Sequence, residues 1–433
     1  MQKLMGRIKK HDVQVAVIGI GYVGLPLAVE VARAGFKAVG FDKSAEKVAA
    51  VNAARSYIGD ISDEVLAPLV KSGKLSATTD PKVFDAADVV IICVPTPLNK
   101  TKDPDNSFIV DAAEELLPHL HRGQLVILES TTFPGFTREV LLPKLAESGL
   151  KVGEDFFLCF SPERVDPGNP KYHTRNTPKV VGGTTPACTQ AITALYGEVM
   201  ERVVPVQSTD SAEMVKLLEN TFRAVNIGLV NEVAIMCQKL GLDTWEVIEA
   251  AATKPFGFMS FHPGPGLGGH CIPVDPLYLS WKLKTVKYNA RFIDLADTIN
   301  SAMPEVVVQR VADALNEAKK SVKGSRIMVL GVAYKRDIDD MRESPALDVI
   351  ELLLRRGGDV CYHDPHVPAL RVDGHQLKSV PFAQLETYDC VVIVTDHSTI
   401  DYERLVKEAK LVFDTRNATR AVRDQVRGTL IRL

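Results

Sequence analysis

One cysteine lies in a loop that is rich in glycine and proline. Cys271 falls within residues 255–276, which hold five glycines and five prolines. Glycines beside a side chain let a substrate approach it closely, and prolines stiffen the loop. Asp275 could transfer a proton, and His270 could stabilise a thiolate, although adjacent side chains usually point apart. The loop predicts a nucleophilic thiol; a packed thiol in a structural loop is the alternative.

A second motif has the spacing of a dinucleotide-binding turn. Gly19, Gly21 and Gly24 follow an apolar run in the pattern GxGxxG, which permits a tight bend, close approach of a pyrophosphate, and helix–strand packing. Asp42 ends the next predicted strand, where a carboxylate accepts hydrogen bonds from a ribose diol and repels a 2′-phosphate. The motif predicts NAD rather than NADP, although Lys43 could tolerate the phosphate. The alternative is a merely glycine-rich turn.

NAD and a nucleophilic thiol together suggest one particular chemistry. Hydride removal turns an alcohol into an aldehyde, and a thiolate captures the aldehyde as a thiohemiacetal. A second hydride removal gives a thioester, from which water releases the acid. The expected reaction is a four-electron oxidation that consumes two NAD⁺.

Two polar residues in a long helical pattern could assist this chemistry. Lys216 and Asn220 are four residues apart and therefore share one face of a helix. Beside a buried surface, they could stabilise an oxyanion as a charged donor and a neutral donor. A solvent-facing polar stripe is the alternative.

The composition is that of a globular protein of about two to four domains. The 433 residues are 46% hydrophobic and 24% charged, which excludes disordered, collagen-like and low-complexity classes. The net charge is −3. With this charge and no basic cluster, we expect no nucleic-acid partner.

The cysteines and the first residues bear on the compartment. The seven cysteines are odd in number and form no CxxC pair, which argues against disulfides and structural zinc, and no metal site is predicted. Basic residues from Lys3 to Lys10 precede an uncharged run at 13–29 that imitates a signal peptide. The run is too short to span a bilayer and carries the glycine turn. We expect a buried strand and turn there, and a cytoplasmic protein without membrane insertion.

Two α/β regions flank a helical one. In residues 1–207, apolar runs alternate with amphipathic stretches, which indicates a parallel sheet covered on both faces. We predict an α/β fold with an N-terminal NAD-binding Rossmann-like domain (1–207), a central helical domain with the cysteine loop (208–320), and a C-terminal Rossmann-like domain (321–433). A helix over 210–240 would connect domains or form a subunit interface. Its spacing predicts a buried face containing Met214, Leu217, Leu218, Phe222, Val225 and Leu229.

Six ordered motifs resemble the nucleotide-sugar 6-dehydrogenases, the UDP-glucose/GDP-mannose dehydrogenase family. They are GIGYVGLP at 19–26, VPTP at 94–97, EST at 129–131, SPER at 161–164, KLLEN at 216–220 and GGHC at 268–271. The resemblance covers nearly the whole chain, including YKRD at 334–337, RES at 342–344 and FDTR at 413–416.

The resemblance implies roles for individual residues. The implied catalytic residues are Cys271 as nucleophile, Asp275 and Thr131 with a water in proton transfer, Lys216 and Asn220 at oxyanions, and Glu163 in thioester hydrolysis. The implied NAD contacts are Gly19, Gly21, Tyr22, Val23, Gly24, Asp42, Lys43, Pro95, Thr96, Thr131 and Arg342. The implied UDP-sugar contacts are Glu163, Arg164, Lys216, Asn220, Gly268, Lys335 and Arg416. The C-terminal domain would hold the nucleotide, and the long helix would form the interface of a homodimer or larger homo-oligomer.

The segment at 161–170 bears on the substrate. It resembles the branch that acts on UDP-N-acetylhexosamines, because Pro167 stands where the UDP-glucose branch usually has a second glutamate. Residues 175–183 and 263–266 further resemble UDP-N-acetylglucosamine 6-dehydrogenases. We expect UDP-N-acetylglucosamine as substrate, with the N-acetylgalactosamine and N-acetylmannosamine epimers and UDP-glucose as alternatives. The family resemblance implies a product used in surface polysaccharide or O-antigen synthesis.

Two other functions are compatible with part of the sequence. A two-electron dehydrogenase of a hydroxyacid or a hydroxyacyl thioester shares the Rossmann and helical domains, but has no use for Cys271 or a third domain. A non-catalytic dinucleotide-sensing scaffold would keep the glycine turn, but has no need of Cys271, Lys216 and Glu163. The number of NADH formed per substrate separates these alternatives.

Overall fold

The computed structural model describes residues 1–59, 61–99, 101–166, 169, 171–269 and 271–433. The chain forms two compact units: residues 1–219 with 277–287, and residues 220–276 with 288–433. His270 and Pro167, which the sequence patterns above include, lie outside the described residues.

A sheet of eight strands forms the centre of the first unit. Its order is β3-β2-β1-β4-β5-β6-β7-β8, and its strands are β1 (Gln14–Ile18), β2 (Lys37–Phe41), β3 (Leu75–Thr78), β4 (Val89–Ile92), β5 (Leu125–Leu128), β6 (Phe157–Phe160), β7 (Lys179–Gly183) and β8 (Val203–Pro205). All pairings are parallel except that of β6 with β7, an exception the sequence did not predict. Strands β4, β5 and β6 are buried along their whole length, as their continuous apolar sequences require.

Helices cover this sheet. They are α1 (Gln2–Lys9), α2 (Gly24–Arg33), α3 (Ala45–Asn52), α4 (Asp63–Lys71), α5 (Ser107–Leu116), α6 (Leu142–Ala146) and α7 (Pro186–Val199). Local sequence fixes several starts: the side chains of Ser44 and Thr185 accept backbone N–H bonds at the beginnings of α3 and α7, which satisfies donors that a helix start leaves open. A π-helical turn, Thr137–Leu141, precedes α6.

The second unit combines helices with a parallel five-stranded sheet. Two helices contain residues of both units, namely α8 (Thr209–Leu240) and α10 (Asp275–Thr285); the others are α9 (Thr244–Ala252), α11 (Arg291–Glu317), α12 (Pro345–Arg355) and α13 (Tyr402–Glu408). The strands are β9 (Arg326–Leu330), β10 (Asp359–His363), β11 (Ala369–Val372), β12 (His375–Lys378), β13 (Cys390–Ile393), β14 (Leu411–Asp414) and β15 (Thr429–Arg432). The sheet order is β10-β9-β13-β14-β15, and β11 and β12 form a separate hairpin.

The long helix α8 is present, but the predicted burial of its apolar face was wrong at three positions. Leu217 is fully buried, whereas Leu218, Phe222 and Leu229 are 58%, 46% and 54% exposed. Their spacing places these three on one side of the helix. The periodicity correctly placed these apolar residues on one side of α8. It could not show whether other parts of the chain pack against that side.

Two further features concern membrane spans and cysteine pairing. Within the described residues, no helix is long and apolar enough to cross a membrane. All seven cysteines are among those residues, and no disulfide joins any of them. Residues 13–29 contain β1, the glycine turn and the start of α2, as expected.

Candidate active site

The glycine turn between β1 and α2 has the shape that the sequence predicted. Gly19 has φ +86°, and a Cβ atom there would lie 2.5 Å from the carbonyl oxygen of Cys93. A Cβ on Gly24 would lie 1.9 Å from the carbonyl oxygen of Gly19. A Cβ on Gly21, by contrast, would meet nothing within 4 Å. Packing therefore requires glycine at 19 and 24, while Gly21 leaves open the space that a pyrophosphate needs.

The other expected NAD contacts surround this turn or follow the neighbouring strand. Asp42 directly follows β2, and its carboxylate accepts the Ile20 N–H at 3.1 Å. Lys43 points to Glu115, 3.3 Å away. Tyr22 is exposed, Val23 is half-buried, Pro95 is exposed, Thr96 is buried and Thr131 is half-buried. Asp42 is held beside the turn by the N–H groups of Ile20 and Ser44 and by the ammonium of Lys47. These residues fit a dinucleotide, because a ribose diol could donate to the carboxylate at this position.

Substituting Gly21 by alanine is expected to weaken NAD binding at least about tenfold, or ~1.4 kcal/mol. The added methyl group meets no protein atom, so it acts by occupying the space above the turn. Calorimetric titration with NAD measures the change. Gly197→Ala is the matched control. Gly197 lies in α7, away from the glycine turn, and a Cβ there also meets nothing within 4 Å. Equal affinity in the two variants would argue against NAD binding at this turn.

Glu163 is held firmly in the loop after β6. Its Oε1 atom accepts the N–H groups of Arg164 and Val165, both at 2.7 Å, and its backbone carbonyl accepts a hydrogen bond from Lys216 Nζ at 2.6 Å. Burial disfavours the charged carboxylate, but Lys179, these N–H groups and Lys216 outweigh burial and lower the pKa of Glu163. The structure thus brings together two predicted catalytic residues, Glu163 and Lys216, with Glu163 ionised.

Thr131 begins a loop that is anchored to the long helix. Glu213 is buried in the second turn of α8 and accepts the N–H groups of Gly135 at 2.6 Å and Thr137 at 2.9 Å. The Thr137 hydroxyl donates to the same carboxylate at 2.6 Å. Because Glu213 precedes Lys216 by one turn, a single helix carries Lys216 and fixes the loop that follows Thr131.

Arg164 is engaged within the protein. Its guanidinium donates to both carboxylate oxygens of Glu219, at 3.1 and 2.5 Å, and to the carbonyl oxygen of Pro178 at 2.7 Å. A bidentate pair of this kind fixes the side chain. Direct binding of substrate by Arg164 remains a prediction.

In the second unit, Cys271 lies just before helix α10. It is exposed, whereas the other six cysteines are buried or half-buried. Its carbonyl oxygen accepts the Asp275 N–H at 2.8 Å, so the thiol belongs to the segment that starts the helix, where a negative charge is favoured. Asn220 Nδ2 donates to Asp275 Oδ2 at 2.5 Å, and both residues are buried. The second unit therefore brings together Cys271, Asp275 and Asn220.

The glycines before Cys271 pack closely on the segment after β9. Cβ atoms on Gly268 and Gly269 would lie 2.6 and 2.7 Å from Tyr334 side-chain atoms. The Gly269 N–H donates to the carbonyl oxygen of Arg342 at 3.0 Å, while the Arg342 side chain pairs with Asp340. Larger residues at 268 or 269 would displace the loop that carries the thiol.

Arg416 and Lys335 are the other predicted substrate contacts in this unit. Arg416 Nε donates to the carbonyl oxygen of Val394 at 2.8 Å, and a Cβ on Gly264 would lie 2.6 Å from the Arg416 guanidinium. Lys335 is half-buried. The structure thus places Arg416 against the glycine-proline loop.

Sequence reasoning missed the asparagines that tie down this loop. Asn231 Oδ1 accepts the Gly264 N–H at 2.9 Å, and Asn231 Nδ2 donates to Asn300 Oδ1 at 2.8 Å. Both asparagines are buried, in α8 and α11. A buried amide is costly unless it is hydrogen-bonded, so polar residues within an apolar helical pattern were the available signal.

Asp364, after β10, organises the edge of the C-terminal sheet. Its carboxylate accepts the N–H groups of Val332 at 2.7 Å and Ala333 at 3.0 Å, and lies 3.0 Å from His397 Nε2. Those three contacts are made by Asp364 Oδ2, whereas Oδ1 accepts the His366 N–H at 2.8 Å. Burial alone would raise the pKa of Asp364, but these hydrogen bonds, led by that from His397, lower it well below its usual range.

Replacing Asp364 by asparagine is expected to destabilise the protein by about 2–3 kcal/mol at neutral pH. Because the folded-state pKa is depressed, the wild-type advantage is present above the unfolded pKa of about 3.9 and is lost as pH falls below it. Urea unfolding across this pH range measures the difference. Asp373→Asn, at an exposed site in the same unit, is the control. A difference that persists unchanged at low pH would contradict the ionised carboxylate.

Comparison with known proteins identifies the family to which this chain belongs. The chain matches three domains of the UDP-glucose/GDP-mannose dehydrogenase family: the NAD binding domain over residues 13–200, the central domain over 210–302 and the UDP binding domain over 328–421. Its fold, with an NAD-binding N-terminal domain and a UDP-binding C-terminal domain, is the one these matches define.

Individual relatives carry three different substrate names. The chain is 35% identical over 390 residues to the UDP-N-acetyl-D-glucosamine 6-dehydrogenase of Pseudomonas aeruginosa, covering 89% of this chain and 91% of that one. It is 36% identical over 424 residues to the NDP-N-acetyl-D-galactosaminuronic acid dehydrogenase of Ralstonia solanacearum, covering 94% and 97%. The solved structure of a UDP-D-ManNAc dehydrogenase from Pyrococcus horikoshii has a TM-score of 0.88 at 34% identity, covering 97% and 98%.

These matches define an NAD-dependent nucleotide-sugar dehydrogenase. The chain belongs to the UDP-glucose/GDP-mannose dehydrogenase family, as the sequence motifs had predicted.

Proposed function

We propose that this protein oxidises C6 of UDP-N-acetylglucosamine to the uronic acid in two steps. The observation that carries the proposal is Cys271, an exposed thiol at the start of a helix, beside buried Asp275 and Asn220. The overall change is R–CH₂OH + 2 NAD⁺ + H₂O → R–COO⁻ + 2 NADH + 3 H⁺. Each NAD⁺, when bound, would accept one hydride, so two NAD⁺ would be reduced in turn.

In the first half of the reaction, the protein removes the hydroxyl proton and captures the aldehyde. Asp275, with a water near Thr131, serves as the proton acceptor. The Cys271 thiolate attacks the aldehyde carbon and forms a C–S bond, giving a thiohemiacetal. Lys216 and Asn220 donate to the oxygen that carries the developing negative charge.

In the second half, loss of hydride from the thiohemiacetal leaves a thioester on Cys271. Water attacks the thioester carbon, the new C–O bond forms and the C–S bond breaks. Glu163 is suited to accept the proton from this water, because its carboxylate is fixed by two N–H groups and its pKa is lowered. We assign Lys216 the stabilisation of this oxyanion as well.

The choice of sugar rests on the segment at 161–170 and on relatives such as the Pseudomonas enzyme. A second candidate is UDP-N-acetylmannosamine, which the high TM-score to the Pyrococcus structure favours. In either case we propose that the product supplies surface polysaccharide or O-antigen synthesis. We place the protein in the cytoplasm, because its exposed thiol requires a reducing compartment.

NADH formation at 340 nm with a panel of UDP-sugars, each run to completion, tests the proposal. Two NADH per UDP-N-acetylglucosamine is the expected result. Two NADH only with the mannosamine or galactosamine epimer, or with UDP-glucose, would keep the mechanism and replace the substrate. One NADH per sugar would indicate a two-electron enzyme and overturn the role of Cys271.

We also propose that the protein is a homodimer that uses the exposed side of α8. The support is the row of Leu218, Phe222 and Leu229, each about half exposed, because a soluble chain rarely leaves such a row uncovered. Sedimentation equilibrium should give twice the 47.4 kDa chain mass, or a larger multiple. A monomer at micromolar concentration would contradict it.

A further inference from the structure

Four residues of the first unit form a buried polar cluster behind Glu163, which we call the Lys179 cluster: Lys179, Glu129, Tyr196 and Glu163. Glu129 follows β5, Lys179 begins β7, and Tyr196 lies in α7. The Lys179 side chain is 4% exposed and that of Glu129 is 0% exposed, whereas Glu163 is 15% exposed. Glu163 is therefore the most exposed of the ionisable groups in the cluster.

The cluster is connected by hydrogen bonds and charge. Lys179 Nζ lies 2.6 Å from Glu129 Oε2 and 3.4 Å from Glu163 Oε2. Tyr196 donates its hydroxyl to Glu129 Oε1. The Arg164 and Val165 N–H groups bind Glu163 Oε1, and Lys179 lies beside Oε2. Partners at both oxygens fix the orientation of the Glu163 carboxylate.

The charges in the cluster do not balance. A buried ammonium is stable only beside opposite charge, and here two carboxyl groups share one ammonium. Burial raises the pKa of Glu129, and the charge of Lys179 opposes this rise. The two carboxylates raise the pKa of Lys179 against the lowering effect of burial, so Lys179 stays charged. Any change at Glu129 therefore alters how strongly Lys179 acts on Glu163.

We propose that Lys179 is a positioning residue that keeps Glu163 oriented and ionised for thioester hydrolysis, and that Glu129 limits the strength of this effect. The inference rests on the proposed function, since it assumes that Glu163 acts on the thioester. Lys179 itself touches neither substrate nor cofactor in this role; it acts through Glu163.

Other groups near Glu163 do not replace Lys179. Lys216 donates to the backbone carbonyl of Glu163 rather than to its carboxylate. The Arg164 guanidinium is paired with Glu219. Burial raises the pKa values of Cys93 and Tyr196, so both are neutral at the pH of interest. Lys179 is thus the one side-chain cation, among the described residues, within 4 Å of the Glu163 carboxylate.

The test uses full-length protein with excess NAD and the UDP-sugar that yields two NADH. After acid quenching at several pH values, intact-protein mass spectrometry quantifies the Cys271 thioester. Lys179→Met is expected to lower the rate of thioester hydrolysis at least about tenfold at pH 6, so that the thioester accumulates. In the plot of hydrolysis rate against pH, the acid limb should move to higher pH. Glu129→Gln is expected to move that limb to lower pH, because Lys179 then pairs with Glu163 alone.

Opposite shifts from two changes in one buried pair support the proposal, since loss of packing would slow both variants alike. An unmoved limb, or equal shifts in both variants, would overturn it. If Lys179→Met does not fold, Glu129→Gln decides the matter, with Lys179→Arg expected to keep the wild-type profile. Lys144→Met, at a lysine with carboxylate partners Glu114 and Glu147, controls for loss of a lysine from the same unit.

Glu163→Gln separates the inference from the function on which it rests. Accumulation of the thioester in this variant supports Glu163 as the hydrolytic residue, and the Lys179 result then tests the inference alone. Wild-type hydrolysis by Glu163→Gln would overturn the role of Glu163, and the inference with it, while leaving the two-NADH reaction intact.

Discussion

Replacing Cys271 by serine is expected to reduce uronate formation by a factor on the order of 10³ or more. A serine hydroxyl is a far weaker nucleophile than a thiolate at neutral pH and cannot form the thioester. Binding of NAD should be unchanged, because the glycine turn lies in the other unit. Uronate measured by chromatography, beside NADH measured at 340 nm, reports the two oxidations separately.

The matched control for this variant is Cys361→Ser. Cys361 lies in β10 of the same unit and is half-buried, so it tests the general cost of replacing a thiol. We expect its activity within about twofold of wild type, as for most substitutions away from a site. Full conversion to the acid by Cys271→Ser would overturn the covalent mechanism.

Replacing Lys216 by methionine is expected to lower kcat about 10²–10³-fold. Lys216 is 8% exposed, and in a site with little water an ammonium stabilises a developing oxyanion more strongly than in solution. Because this interaction forms mainly in the transition state, KM should change much less than kcat. Steady-state kinetics with the best UDP-sugar measures both.

The control for this second variant is Lys239→Met, at an exposed lysine in the last turn of the same helix. Lys216 also donates to the carbonyl oxygen of Glu163, so part of any loss could come from a displaced Glu163. Lys216→Arg separates the two effects, since it keeps the charge and a donor. A large rise in KM with kcat unchanged would show that Lys216 binds the ground state instead.

The sequence by itself determined the features that depend on neighbouring residues. The glycine turn could be predicted because its bend, its open space and the start of the following helix are set by residues 19–24. Cys271 could be recognised as unusual because glycines and prolines adjoin it in the sequence. The order of the motifs identified the family. Helix α8 (Thr209–Leu240) was predicted over 210–240, within one residue of its observed start, since helical periodicity is a local pattern.

Only the tertiary structure decided which distant residues share an environment. Lys179 lies 50 positions from Glu129, so no spacing rule could pair them, although a lysine at the start of an apolar strand was a signal that it needed a partner. The structure also decided that β7 runs antiparallel to β6 and that Leu218, Phe222 and Leu229 are uncovered. Pairing of strands and burial of a face depend on what the rest of the chain packs against them, which local sequence does not contain.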